Sequence, residues 1–186
     1  MPRLLHLNGP PGIGKSTLAR RYVEDHPQTL NCDIDVLRTL IGGWEQDFPG
    51  AGALIRPAAL AMIEVYLRAG GDVVLPQMML DLGELSRFEA CATNAGAEFV
   101  ERVLMDVPDA AIARFHRRGT TDPADPWHEQ VRAIVAADGG DQALARCRAA
   151  LERVVEVRPG AVVVSSIEGA TDETYRALLD SLTGQR

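Results

Sequence analysis

The chain has 186 residues, of which 46% are hydrophobic and 24% charged, with a formal net charge of −7. That length suits one well-buried domain, and the acidic balance argues against a protein whose main work is neutralising a nucleic-acid backbone. The sequence holds no uninterrupted apolar run near the roughly 18 residues of a membrane span, and its N-terminus passes from Arg3 straight into a short apolar strand rather than a signal peptide. A single cytoplasmic domain is therefore expected, monomeric or homodimeric, with no nucleic-acid or membrane partner. Cys32, Cys91 and Cys147 are odd in number and widely spaced, which suits neither disulfides nor a zinc site, so they are expected to be reduced packing residues.

The elements follow in chain order. Residues 4–7 form an apolar strand ending at Asn8; a glycine-rich turn follows, then a helix over 16–24. A second short strand is predicted over 29–32 and a helical turn over 33–40, broken at Gly42-Gly43-Trp44. The next helix is predicted over 58–69, closed by Gly70-Gly71, and the third strand over 72–75 is stopped by Pro76. A helix over 81–95 gives way at Gly96 to a fourth strand over 98–105. Helices over 108–118 and 127–137 flank a loop rich in Gly, Thr, Asp and Pro. From Asp141 the set Leu144, Cys147, Leu151, Val154 and Val155 keeps helical period; a fifth strand over 161–164 and a last amphipathic helix with Tyr175, Leu178, Leu179 and Leu182 complete the chain.

Strands alternating with helices predict a three-layer α/β fold whose mostly parallel, five-stranded sheet holds ligands at the carboxyl ends of its strands. Residues 1–186 form one domain in this reading, with an insert at about 41–70 for an acceptor and a helical lid at about 117–127.

Gly9-Pro10-Pro11-Gly12-Ile13-Gly14-Lys15-Ser16 fits G-x-x-x-x-G-K-[ST] in full, between a strand and a helix, as a P-loop requires. Glycines let the backbone N–H groups turn inward toward phosphates, and the helix N-terminus adds a partial positive charge. Lys15 is expected to reach the β- and γ-phosphates of ATP, Ser16 to ligate Mg²⁺, and Thr17 to extend the helix start. Of 19 basic residues Lys15 is the only lysine, so the other 18 (19 − 1) are arginine. A lone lysine also rules out the Asn-Lys-x-Asp guanine-reading motif of GTPases, and no strand ends in Asp-Glu as in ring-forming motors.

Just past the second strand stands Cys32-Asp33-Ile34-Asp35-Val36-Leu37-Arg38. An alcohol attacking phosphorus must lose its proton, and a carboxylate within reach can take it. Asp35 and Asp33 both qualify; Asp33 also suits the outer shell of Mg²⁺, and either can simply cap the following turn. With these residues the chain resembles small P-loop kinases, most closely the chloramphenicol phosphotransferase-like and zeta-toxin-like group. The resemblance implies an ATP-dependent phosphotransferase acting on a small-molecule hydroxyl, with Asp35 as the base.

Val103-Leu104-Met105-Asp106-Val107-Pro108 and the helix after it resemble the strand and lid of nucleoside monophosphate kinases. Arg114, Arg117 and Arg118 share one helical face by their i, i+3, i+4 spacing and are expected to close over the triphosphate as arginine fingers in cis. Asp106 ends a strand in the manner of a Walker B aspartate, but Pro108 behind it favours capping. The third strand ends in Pro76-Gln77 without the acidic residue found in relatives, so Asp33 or Asp35 is expected to supply that carboxylate while Gln77 hydrogen-bonds a water or the substrate.

Trp44 and Phe48 in the insert, with Met78 and Met79 just after the third strand, are candidates for an apolar acceptor pocket, and Arg56 for pairing with a carboxylate or phosphate. His6, His26, His116 and His128 have no metal or triad spacing. Two rivals remain open: a nucleotide kinase whose phosphate acceptor is gripped by Arg38 and Arg56, and a resistance or sensor protein that holds ATP with little turnover. An unperturbed carboxylate base near 3.9 and a phosphate acceptor near 6 are expected to separate the first of these by pH profile.

Overall fold

In the computed structural model, residues 1–121 and 126–183 are described, without the side chains of 109, 118–121 and 126. Of the loop predicted over 119–126, residues 122–125 lie outside the described residues, as does the side chain of Arg118, while 119–121 and 126 are helical instead.

Five strands, β1 (Arg3–Asn8), β2 (Thr29–Asn31), β3 (Asp72–Leu75), β4 (Glu98–Met105) and β5 (Val162–Ser165), form one sheet in the order β2-β3-β1-β4-β5. Every pairing is parallel; His6 lies opposite Leu75 on one side and Glu101 on the other. Both faces of such a sheet must be covered. One carries α1 (Lys15–Asp25) and α8 (Thr171–Thr183), whose Leu18, Tyr22, Tyr175 and Leu178 pack on Leu5, Leu7, Val100 and Val164. The other carries α3 (Phe48–Arg68), α4 (Leu82–Asn94) and α7 (Asp141–Val157), with Ile63, Leu67, Phe88 and Val154 against Leu4, Val73 and Leu75. The short α2 (Ile34–Thr39) follows β2, and α5 (Pro108–Thr121) with α6 (Pro126–Ala137) stands over α7.

The structure departs from the sequence reading chiefly in α3, which begins ten residues before the predicted start and runs through Pro57. Asp47 caps it by accepting from the Gly50 N–H at 2.9 Å, and Pro49 sits in the first turn, where a missing N–H costs nothing. Pro57 forgoes one intrahelical bond, which the packing of Ala59, Ile63 and Leu67 offsets. The predicted acceptor insert is thus mostly helix. By length and apolarity α3 would also pass for a membrane span, but this packing makes it a layer of the core. The lid helix α5 likewise continues past Arg118 to Thr121.

Candidate functional site

Backbone conformation builds the phosphate loop. Gly9, Gly12 and Gly14 have φ of 144°, 80° and 105°, a region that L side chains avoid. A Cβ on Gly9 would lie 2.7 Å from the Leu104 carbonyl oxygen of the neighbouring strand, so this turn fits against β4 only as glycine. Asn8, which the sequence reading passed over, anchors its start. Its Oδ1 accepts from the N–H groups of Gly9 (2.9 Å) and Met79 (3.0 Å), and its Nδ2 donates to the Met79 carbonyl (2.9 Å). An Asn closing a strand just before the glycine turn was the available signal.

The Lys15 ammonium donates to the carbonyls of Gly9 (2.8 Å) and Pro10 (2.9 Å), folding back over its own loop. Carbonyls hold a cation that phosphate oxygens would hold better. Beside the loop opens a cavity of about 580 Å³ lined by Pro11, Gly12, Gly14, Lys15 and Ser16 at one end and by Asp33, Asp35, Arg38, Phe48, Arg56 and Gln77 at the other. The helices α6 and α7 add Trp127, Val131, Ile134 and Ala143.

Asp33 and Asp35 part company here. The Asp33 Oδ1 accepts from the N–H groups of Asp35 (3.1 Å) and Val36 (3.4 Å), the N-cap of α2. Asp35, the second residue of α2, lines the cavity. Burial, and then the neighbouring Asp33, push its carboxyl up to about 6, against the opposing pull of Lys15, Arg38 and a hydrogen bond from Gln77. Asp35 therefore holds the balance of a base poised close to neutrality.

Gln77, placed where the strand-end acid was missing, is buried and reaches Asp35 with its amide, while its Oε1 has no partner among the described residues. Its backbone carbonyl lies 2.8 Å from Nε2 of the fully buried His6. His6 Nδ1 is 3.5 Å from Glu101 Oε1, within ion-pair range but outside a well-formed hydrogen bond. Burial alone would raise the Glu101 carboxyl; His6 and Arg158, whose Nε donates to Glu101 at 2.6 Å, hold it below its ordinary value instead. His6 is thus a buried brace under Gln77, a role its place on an apolar strand did not reveal.

Of the predicted trio of lid arginines, Arg114 and Arg117 part company, and the side chain of Arg118 lies outside the described residues. Arg114 crosses to the segment after β5, its Nη1 donating to the Ser166 carbonyl (3.1 Å) and hydroxyl (3.4 Å), with its other end 3.0 Å from where a Cβ on Gly14 would sit. Ser166 in turn donates to the Ile13 carbonyl at 2.8 Å. A small cleft of about 50 Å³ between Gly14, Thr17, Arg114, Ser166 and Thr174 opens there. Arg117 turns outward into an ion pair with Glu168, a carboxylate close enough to hold it away from the cavity. Asp106 uses Oδ1 to accept from the Val107 N–H (2.8 Å), consistent with capping, and keeps Oδ2 buried without a partner among the described residues.

At the acceptor end the candidates also sort themselves. Arg56 is engaged in an ion pair with Glu84. Met79 lies in the core, 1% exposed, while Met78 reaches the cavity. Trp44 packs on Trp127 at 5.8 Å, and Phe48 does so at 5.5 Å. Arg38 stacks over Phe48 at 4.0 Å and lies 5.5 Å from Trp127. Trp127, the second tryptophan of a chain with few aromatics, was predicted only as a helix start.

Phosphates and a metal ion fit this site. The glycine cradle, the Lys15 cation resting on carbonyls and the Ser16 hydroxyl form one end of the cavity, whereas no three His, Cys, Asp or Glu side chains cluster as ligands among the described residues. Ser16 would hold Mg²⁺ with phosphate and water oxygens.

Residues 4–137 match the family described as an AAA domain, and the chain belongs to that family. Its five-stranded parallel sheet with flanking helices is the fold of small P-loop kinases. A gluconokinase from Sinorhizobium meliloti 1021 is similar with a TM-score of 0.65 at 18% identity, over 97% of this chain and 91% of that one. A provisionally assigned kinase from Chloroflexus aurantiacus J-10-fl is similar at 0.64 and 15%, over 100% and 98%. A chain of the Pnkp1/Rnl/Hen1 RNA repair complex is similar at 0.61 and 19%, over 83% of this chain and 45% of that one. No curated protein is similar to this sequence.

Proposed function

We propose that this protein is an ATP-dependent kinase that transfers the γ-phosphoryl group to a hydroxyl of a small molecule. The observation that carries the reading is one cavity with the phosphate loop at one end and Asp35, its carboxyl pushed up to about 6, at the other. Lys15 leaves its carbonyl partners to neutralise charge on the β- and γ-phosphates, and the loop N–H groups hold the rest. Asp35 takes the proton of the acceptor hydroxyl as that oxygen bonds to phosphorus and the bond to the ADP oxygen breaks. Gln77, braced through His6, orients the carboxylate. Arg114 bridges the loop and the segment after β5 and stabilises charge on the leaving side. Mg²⁺, when bound at Ser16, supplies further charge neutralisation.

A gluconokinase with the same fold supports a polyhydroxylated acceptor. The RNA repair complex chain, together with the aromatic rings of Phe48 and Trp127 at the acceptor end, supports a nucleotide-type acceptor as the second reading. A cytoplasmic location accords with the ATP requirement and with three unpaired cysteines. The test is an ATP-dependent transfer screen over sugars, sugar acids, nucleosides, nucleotides and antibiotics, comparing the native protein with Asp35→Asn. Transfer to a hydroxyl that depends on Asp35 supports the reading; transfer to a phosphate that ignores Asp35 selects the nucleotide kinase; ATP binding with no transfer selects the sensor.

A further inference from the structure

The outer face of α3 lacks the polarity expected of a helix side turned to water. Its inner face packs through Ala59, Ile63 and Leu67, yet of its eight exposed residues only Arg68 is polar, and the other seven are alanine, proline, leucine and valine. Leu54 is 70% exposed and Val65 69%. The most apolar 18-residue stretch of α3 has a mean hydropathy of 1.3 and is only 28% buried. Surface helices ordinarily set a polar face opposite their apolar stripe, and a contiguous exposed apolar face marks a place that something covers.

The outward residues Leu54, Ala58, Ala61 and Val65 are spaced four, three and four apart, the spacing of a seam along which two helices meet. Their order is large, small, small, large, and it reads alike from either end about the point midway between Ala58 and Ala61. A two-fold axis needs that symmetry, because the same patch must complement itself. An antiparallel crossing sets Leu54 of each helix against Val65 of the other, and the alanines permit a close approach at the centre. Charge obeys the same symmetry. Asp47 caps one end of the stripe, while Arg68, its side chain 59% exposed beside Glu64 of its own turn, closes the other. Antiparallel packing brings each Arg68 to the acidic end of the other helix, with the two helix dipoles opposed.

We infer that a second copy of this chain covers this face, α3 against α3, antiparallel about a two-fold axis between Ala58 and Ala61. A lipid surface suits it less, since an interfacial helix borders its apolar face with several Lys and Arg, whereas Arg68 stands alone here and the chain carries a net charge of −7. With a length of about 30 Å, one helix face supplies only part of the roughly 800 Å² per partner of a standard interface, so the dimer forms in the micromolar range. The inference is independent of the kinase reading.

Sedimentation velocity of the full chain, from low micromolar to near-millimolar concentration, tests it, with a shift from monomer to dimer expected. Leu54→Glu and Val65→Glu should each weaken the dimer by roughly 10-fold or more and leave the melting temperature of the monomer unchanged, because both side chains already face water in one copy. Arg68→Glu should weaken it by less, roughly threefold. Cysteine pairs read the register. In the antiparallel arrangement the two Leu54 residues stand about 16 Å apart along the helices, whereas each faces Val65 of the other copy. Mild oxidation should therefore join Leu54→Cys to Val65→Cys in a mixture of the two variants and leave either variant alone unjoined, the native chain serving as control for Cys32, Cys91 and Cys147.

A chain that stays monomeric at every concentration, or a dimer that survives both Leu54→Glu and Val65→Glu, would overturn the inference. So would joining of either cysteine variant alone as readily as the mixture, which would place the seam elsewhere or make it parallel. A large fall in the melting temperature of Leu54→Glu would mean that the chain covers this face itself. Binding of the monomer to vesicles of phosphatidylcholine and phosphatidylglycerol, abolished by Leu54→Glu, would give the face to lipid; either result overturns the dimer.

Discussion

The two ends of the cavity are built by different means. At the phosphate end the site comes from backbone: three glycines at positive φ and a lysine resting on carbonyls. At the acceptor end it comes from side chains on four elements: Asp35 and Arg38 from α2, Phe48 from α3, Gln77 after β3 and Trp127 from α6. A backbone-built site needs its residues in a row, so it leaves a contiguous motif. A side-chain-built site can draw each group from anywhere the fold brings close.

The sharpest break in this comparison is Lys15→Ala. It removes the cation expected on the β- and γ-phosphates, whose charge no backbone group replaces, so turnover should fall by roughly 10³-fold or more with the melting temperature unchanged. Near-normal turnover in the folded variant would end the phosphate-loop assignment.

Asp35→Asn comes next and probes the other end. Loss of a general base predicts a fall in kcat of about 10²–10⁴-fold, with ATP affinity retained. The same substitution corrects the expected pH test. With Asp35 pushed up to about 6, a carboxylate base and a phosphate acceptor lose activity over the same acid range, and the profile alone does not tell them apart. Activity should rise with pH through about 6 in the native protein, and where Asp35 is the base that limb should vanish in Asp35→Asn. A limb that persists belongs to the acceptor.

Arg114 and Arg117 differ by what holds them. Arg114 lies against the loop and Ser166, so its replacement by alanine should lower kcat by roughly 10- to 100-fold, a modest share of what an arginine finger supplies. Arg117, tied to Glu168 on the surface, should change kcat by less than about threefold. Equal losses would restore the shared catalytic face expected from their spacing.

The smallest effect is on stability. The folded pKa of Asp35 is raised from 3.8 to about 6, so ionising it disfavours the folded state as pH rises through that window. The difference of about two units corresponds to roughly 3 kcal/mol. Ligand-free Asp35→Asn should therefore be more stable than the native protein by that order at pH 7–8 in denaturant melts, with the gain gone below pH 3.8. A variant that is less stable at neutral pH would mean that Asp35 makes favourable contacts outweighing its burial.

Pattern alone delimited much of the chain. The residues of β4 were bounded to the residue and α8 was legible from Tyr175 and Leu178, because buried strands and amphipathic helices write their burial into local periodicity. The one large miss is the start of α3, expected at 58 and found at Phe48, so that Gly50, Gly52 and Pro57 all lie inside the helix. A helix whose far side packs on the sheet tolerates all three. In the site, Asp33 and Asp35 were interchangeable by sequence and are separated by which of them caps α2.

By itself, then, the sequence determined the sheet-and-helix order, the phosphate loop and the short list of carboxylates and arginines, since each is a local property of neighbouring residues. The tertiary structure decided which candidates face the cavity. Arg56 lines it but is paired with Glu84, Arg117 found Glu168 elsewhere, Met79 went to the core, and Arg38 is buried against the rings of Phe48 and Trp127. Pairing and burial depend on what long-range packing brings within a few ångströms, and no spacing along the chain encodes that distance.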